Sequence, residues 1–126
     1  MANNLILVAD DDLISQNMLR STLTKAGYSV SAASDGPEAV RLAREQHPDV
    51  IILDIMMPGM DGGEVAEILK NEPGTRQIPV IFLSSLITET EEKVRQDGEA
   101  ASFFSKPYNR EKLLNEVRKL LLKQSA

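Results

Sequence analysis

The chain has no cysteine and a single histidine, His47. The first absence removes disulfides, thiolate zinc sites and cysteine nucleophiles from consideration, and the second removes any multi-histidine metal site. No apolar run reaches the ~18 residues of a membrane span. The N-terminal Met1-Ala2-Asn3-Asn4 lacks the basic region that opens a signal peptide. The expected location is therefore cytoplasmic, with no membrane partner. Basic residues are in deficit, 14 Lys and Arg against 19 Asp and Glu, for a formal net charge of −5. Phosphate backbones are held by basic faces, so this balance disfavours nucleic acid as a partner. Repeats, low-complexity tracts and Pro/Ser/Gly-rich linkers are also missing. The 126 residues are accordingly read as one domain, 1–126, long enough to bury a core.

What is present is an alternation of two periods. Leu5 to Ala9 is an apolar run ending in Asp10-Asp11-Asp12, which reads as a buried strand. From Leu13 to Ala26 the period becomes helical, with Ile14, Met18, Leu19 and Leu23 on the expected apolar face and Ser, Gln, Arg and Lys opposite. Gly27 suits a left-handed helix end. Tyr28 to Ala33 reads as a strand, and Pro37 to Gln46 as a helix with Val40, Leu42 and Ala43 inward. Val50 to Leu53 is β-branched and uninterrupted, the pattern of a strand buried on both faces. Asp54 follows it, and Pro58-Gly59 and Asp61-Gly62 turn the chain. A short helix is expected over 64–69, a strand over 80–83, a polar helix from Thr88 or Thr90 to about 97, and a strand over 101–105. Asn109 then caps a last helix with Leu113, Leu114, Val117, Leu120 and Leu121 on one face.

Strand and helix thus alternate five times. The expected fold class is α/β, a doubly wound (βα)5 domain with a five-stranded parallel sheet and helices on both faces. Ligands in such sheets bind beyond the carboxyl ends of the strands, where strand order reverses. The residues at those ends are Asp10 and Asp11, Asp54, Ser84 and Lys106. One aspartate at a strand end is most simply a solvated loop residue. Three at neighbouring ends repel one another, and a hard cation relieves that repulsion. Oxygen donors without His or Cys point to Mg2+ or Mn2+. A carboxylate beside such a cation can attack phosphorus and form an acyl phosphate. Ser84 and Lys106 are placed to stabilise the transferred group. No general base is required, and His47, at the opposite end of its strand, reads as a loop residue.

Four marks together, Asp10-Asp11-Asp12, Asp54-Ile-Met-Met-Pro58-Gly-Met-Asp61-Gly62, Ser84-Ser85 and Ser105-Lys106-Pro107, resemble the CheY-like receiver domains of two-component response regulators. The resemblance runs from about Leu5 to about Lys123. It implies the flavodoxin-like strand order 2-1-3-4-5 and makes Asp54 the phosphoacceptor. Asp10, Asp11, Asp54 and the Met56 backbone carbonyl become the metal ligands. Ser84 and Phe103 become switch residues, Lys106 the phosphate-binding lysine, and Lys106-Pro107 a cis bond. The implied donor is a sensor histidine kinase or phosphotransfer protein, with small acyl phosphates as substitutes. The implied output is a downstream protein bound at the face of the fourth helix, fifth strand and fifth helix, without an output domain in the chain. Such a protein is a switch, and it catalyses only its own phosphorylation and dephosphorylation. Departures from the family pattern are Ser85 for Ala, Gly98-Glu99 before the fifth strand, and Phe103 for the commoner Tyr. Phe103 has no hydroxyl, which favours an inward position. Met56 and Leu86 fall where side chains flank hydrolytic water, and both are apolar, so slow self-hydrolysis is expected. Three other readings stand beside this one, of which a flavodoxin-like FMN binder would need a Ser/Thr-rich phosphate loop after the first strand, where this chain has acids. A Mg2+-dependent phosphohydrolase of the haloacid dehalogenase type would need an acid at Met56, and a receiver-shaped adaptor would act without phosphorylation.

Overall fold

The structure, a computed structural model, describes residues 4–85 and 102–125. Strands β1 (Leu5–Ala9), β2 (Ser29–Ala33), β3 (Val50–Asp54), β4 (Val80–Ser84) and β5 (Ser102–Ser105) form one sheet in the order β2-β1-β3-β4-β5. Every pairing is parallel. The described residues also form helices α1 (Leu13–Lys25), α2 (Gly36–Gln46), α3 (Gly62–Lys70) and α4 (Arg110–Ser125). The helix expected near 88–97, the turn at 98–99 and Leu86 lie outside the described residues.

The uninterrupted apolar strands follow from burial on both faces. Successive side chains point to opposite sides of a strand, so each run supplies two cores. Leu7, Ile51, Leu53 and Phe82 pack with Val40, Val65 and Leu69 of α2 and α3. Ile6, Val8, Ile52 and Leu83 pack with Leu19 and Leu23 of α1 and with Leu113 and Val117 of α4.

Helix starts are set by short Asp and Asn caps that also shape the loops at the carboxyl edge. Asp12 caps α1, accepting from the Ile14 N–H and the Ser15 hydroxyl. Asp35 accepts from the Glu38 N–H at the start of α2. Asp61 and Glu64 form a reciprocal capping box at α3. Asn109 accepts from the Lys112 N–H, capping α4. Gly27, just after α1, has φ 98. His47, read from the sequence as a loop residue, is the left-handed cap of α2, with φ 48.

The orientation of α1 corrects the expected apolar face. Ile14 is 72% exposed and Met18 61%. The buried residues are Gln16, Leu19 and Leu23. Their spacing, i, i+3, i+7, is as helical as the expected one. The chain adopts it because the Gln16 amide finds carbonyl partners at the ends of β1 and β2, which offsets the cost of burying it.

Candidate functional site

The register of the sheet brings the strand ends together. Ala9 of β1 is opposite Leu53 of β3, so Asp10 and Asp54 emerge side by side at the centre of the sheet. The order reverses between these two strands, the position where open α/β sheets bind ligands. Ser84 is opposite Ser105, and Lys106 comes directly after. The Lys106 N–H donates to the Ser84 carbonyl (2.9 Å), extending the pairing one residue past β5.

Carboxylate oxygens of Asp10, Asp11 and Asp54 all lie within 4.8 Å of one another. Asp10 and Asp54 are buried, and Asp11 is exposed. Asp54 is therefore not a solvated loop residue, the simplest reading of one aspartate at a strand end. It is the last residue of β3, only 6% accessible. Each buried carboxylate is held at both oxygens. Asp10 Oδ1 accepts from the Asp12 N–H (2.9 Å), and its Oδ2 accepts from Lys106 Nζ (2.8 Å). Asp54 Oδ1 accepts from the Met56 N–H (3.1 Å), and its Oδ2 accepts from the same Nζ (3.1 Å).

Three carboxylates and one ammonium leave two negative charges at the mouth of the site, the charge that one divalent cation neutralises. The donor set is all oxygen, which fits a hard cation such as Mg2+. Burial pushes the Asp54 carboxyl above its ordinary range. Lys106 and the Met56 N–H pull it down without cancelling that effect, and Asp10 adds to the rise. Burial alone would lower the Lys106 ammonium, but its bonds and charge interactions with Asp10 and Asp54 outweigh that and hold it up. Asp12, though acidic and adjacent, is engaged as a cap, and the Ser15 hydroxyl holds its carboxyl below the usual range.

Ser84 is buried at the end of β4. Phe103 is also buried and stacks on Phe82 with ring centroids 5.0 Å apart. The Lys106-Pro107 bond is cis. The Met56 side chain is half exposed. His47 remains at the amino-terminal edge, before β3. Beside the carboxylates a cleft of about 540 Å3 runs between α1 and the start of α4, lined by Asp10, Met18, Leu19, Lys106, Pro107 and Tyr108 among others.

Two residues shape this site in ways the sequence did not show: Gln16, placed there on the polar face, and Gly62, read there only as a turn residue. Gln16 bonds the backbone of Asp10; its helical spacing with Leu19 and Leu23 was the available signal. Gly62 is the second. A Cβ there would stand 2.6 Å from the Asp54 carbonyl oxygen and 3.1 Å from Ile55 Cα, so the first turn of α3 rests directly on the Asp54-Ile55 backbone. The Gly62 N–H also donates to the Ile55 carbonyl (3.1 Å). Gly62→Ala is expected to lower stability by about 2 kcal/mol, the usual scale for overpacking against a backbone. A urea midpoint unchanged from the parent would show that α3 can move away freely.

The fold is a flavodoxin-like sheet with an all-oxygen anionic cluster and one lysine at its switch point, a donor set compatible with Mg2+. Residues 6–118 match the response regulator receiver domain family, and the chain belongs to that family. It is 41% identical over 115 residues to the response regulator PleD of Caulobacter vibrioides, which covers 91% of this chain and 25% of PleD. The chain thus spans a quarter of that relative's length. Chemotaxis protein CheY4 of Vibrio cholerae superposes with a TM-score of 0.82 at 31% identity, covering 95% of this chain and 100% of CheY4. The receiver domain of the sensor histidine kinase PA1611 from Pseudomonas aeruginosa superposes with a TM-score of 0.83 at 25% identity, covering 95% of this chain and 98% of that one. That structure holds a magnesium ion in its active-site cleft.

Proposed function

We propose that this receiver accepts a phosphoryl group on Asp54 from the phosphohistidine of a sensor histidine kinase or phosphotransfer protein, and that the phosphorylated form binds a different protein partner. The observation that carries the proposal is the convergence of Asp10, Asp11, Asp54 and Lys106 at the switch edge of the sheet.

In the proposed transfer an Asp54 carboxylate oxygen bonds to phosphorus as the P–N bond of the donor breaks. The imidazole leaves with the electron pair of that bond. Asp54 needs no base, because a carboxylate at neutral pH is already ionised. Lys106 would balance charge on the transferred group, and the Ser84 hydroxyl would donate to one of its oxygens. Mg2+ would be held by Asp10, Asp11, Asp54 and the Met56 carbonyl; when bound it screens the charge of the incoming phosphoryl group. Exposed Leu13, Ile14 and Met18 on α1 support a protein donor, because they offer apolar contact next to the carboxylates. The proposed output surface includes β5, an edge strand, and α4 (Arg110–Ser125), the fifth helix of the expected order. Phe103 lies on β5 behind Lys106 and would relay the state of the site to that surface. Cytoplasmic location is part of the same proposal; no helix among the described residues is long and apolar enough to cross a membrane.

The test is intact mass after incubation with a small acyl phosphate. A single phosphate adduct is expected with Mg2+ and none with a chelator. Hydroxylamine should discharge the adduct, as it does an acyl phosphate. With apolar Met56 beside the acceptor, the adduct should persist for minutes. A hydroxylamine-stable adduct would place the phosphate on a hydroxyl and sink the proposal, and loss within seconds would remove the sheltering role of Met56.

A further inference from the structure

We infer that Gln16 is a positioning residue for the cation site, acting on the peptide group that joins its two adjacent carboxylates. The inference rests on the metal site proposed above and deepens it.

Gln16 is 4% exposed, on the buried face of a helix that leaves Leu13, Ile14 and Met18 in solvent. A glutamine displaces apolar residues from such a position only if its amide is well satisfied. Its Nε2 donates to the Asp10 carbonyl (3.1 Å) and to the Ala33 carbonyl (3.0 Å), with a longer contact to Ser34 Oγ (3.4 Å). The Ala33 carbonyl also accepts from the Asp10 N–H (3.1 Å). One side chain therefore ties the end of β2 to the residue that follows β1.

The location of the first bond matters most. The Asp10 carbonyl belongs to the Asp10-Asp11 peptide plane. Asp10 itself is already fixed, by the Asp12 N–H, Lys106 and Ala33. Asp11 is exposed, and its carboxylate direction depends on how that peptide plane is turned. Gln16 holds the plane from below. Its removal would leave a buried carbonyl without this donor and let the plane rotate, so that the third oxygen ligand loses its place beside the other two. Groups that orient metal ligands in this way typically contribute about 10–100-fold to metal affinity.

The experiment compares the parent with Gln16→Met, of similar length but without N–H groups, and Gln16→Glu, which turns an acceptor toward the two carbonyls. Mg2+ affinity is measured by calorimetry and by the Mg2+ concentration at which the unfolding temperature rises; the second readout still works on a destabilised variant. Both variants are expected to bind Mg2+ about tenfold more weakly. At saturating Mg2+, phosphorylation of Gln16→Met should recover to near the parent rate, because the acceptor and Lys106 are intact. Variants that unfold earlier but bind Mg2+ as the parent does would overturn the inference, making Gln16 purely structural, while the site reading stood. A parent that binds no Mg2+ would overturn both.

Discussion

Asp54→Asn is expected to take up no phosphate from a small acyl phosphate with Mg2+, and to be more stable than the parent at pH 7 without divalent cations. The first effect follows from chemistry: the amide nitrogen and oxygen are poor nucleophiles, and no other described carboxylate has both a strand-end position between Asp10 and Lys106 and two hydrogen-bond donors holding it. The second follows from electrostatics. Burial, with Asp10 adding to it, raises the Asp54 carboxyl above its ordinary 3.8. A carboxyl raised in the folded state contributes stability below that ordinary value and loses it as pH climbs through the folded one. At pH 7 the parent therefore carries a carboxylate that the fold would rather see neutral. Asparagine is neutral at every pH, so the variant should unfold at a higher urea concentration than the parent at pH 7. The gain should vanish as pH falls toward 3.8. Urea midpoints at several pH values, in chelator, check the sign. A variant less stable than the parent at pH 7 would show that the Lys106 contact outweighs burial. A phosphate adduct on the Asp54→Asn variant would remove Asp54 as acceptor.

Lys106→Met is expected to have the opposite effect on stability. Its Nζ bridges Asp10 and Asp54, both nearly inaccessible, while Lys106 itself is 20% exposed. Methionine keeps much of the apolar stem and removes the charge, leaving two buried carboxylates facing each other. Removing one partner of a buried ion pair typically costs about 3 kcal/mol. In chelator the urea midpoint should fall accordingly. Added Mg2+ should restore much of the loss, because a divalent cation can take over the neutralisation. Phosphorylation at saturating Mg2+ should still be slower by about 100-fold, the usual scale for losing one charge-stabilising donor. A time course by intact mass checks this. If Mg2+ restores stability and the full rate together, Lys106 only balances the empty carboxylates and has no part in the transfer.

Much of this protein is written locally. Apolar runs of four or five residues mark β1, β3 and β4, the three strands at the centre of the sheet. The cap at Asn109 was readable because an N-cap bonds within three residues of itself; Asp61, read as a turn residue, proved to be the cap of α3. The strand-end positions of Asp10, Asp54, Ser84 and Lys106 follow directly, since a residue that ends a buried run in a parallel sheet can only point toward the carboxyl edge. That Asp54 is buried was less legible. It depends on the neighbouring strand ends and on Gly62, not on the residues beside it in sequence.

The clearest failure was on α1. Hydrophobicity assigned Ile14 and Met18 to the core and Gln16 to solvent, and the fold does the reverse. Period alone places residues on a common face but does not say which face is inward when two registers compete. The choice was made by the carbonyls of Asp10 and Ala33, 6 and 17 residues away in the chain from Gln16. Sequence by itself thus determined the described elements, their parallel arrangement and the chemistry available at the carboxyl edge, because those depend on short-range pattern. Tertiary structure alone decided the rotation of α1, the contact of Gly62 with the Asp54 backbone and the bridge from Lys106 to Asp10 across 96 residues. Each of these needs partners that only the closed sheet brings within hydrogen-bonding or van der Waals distance.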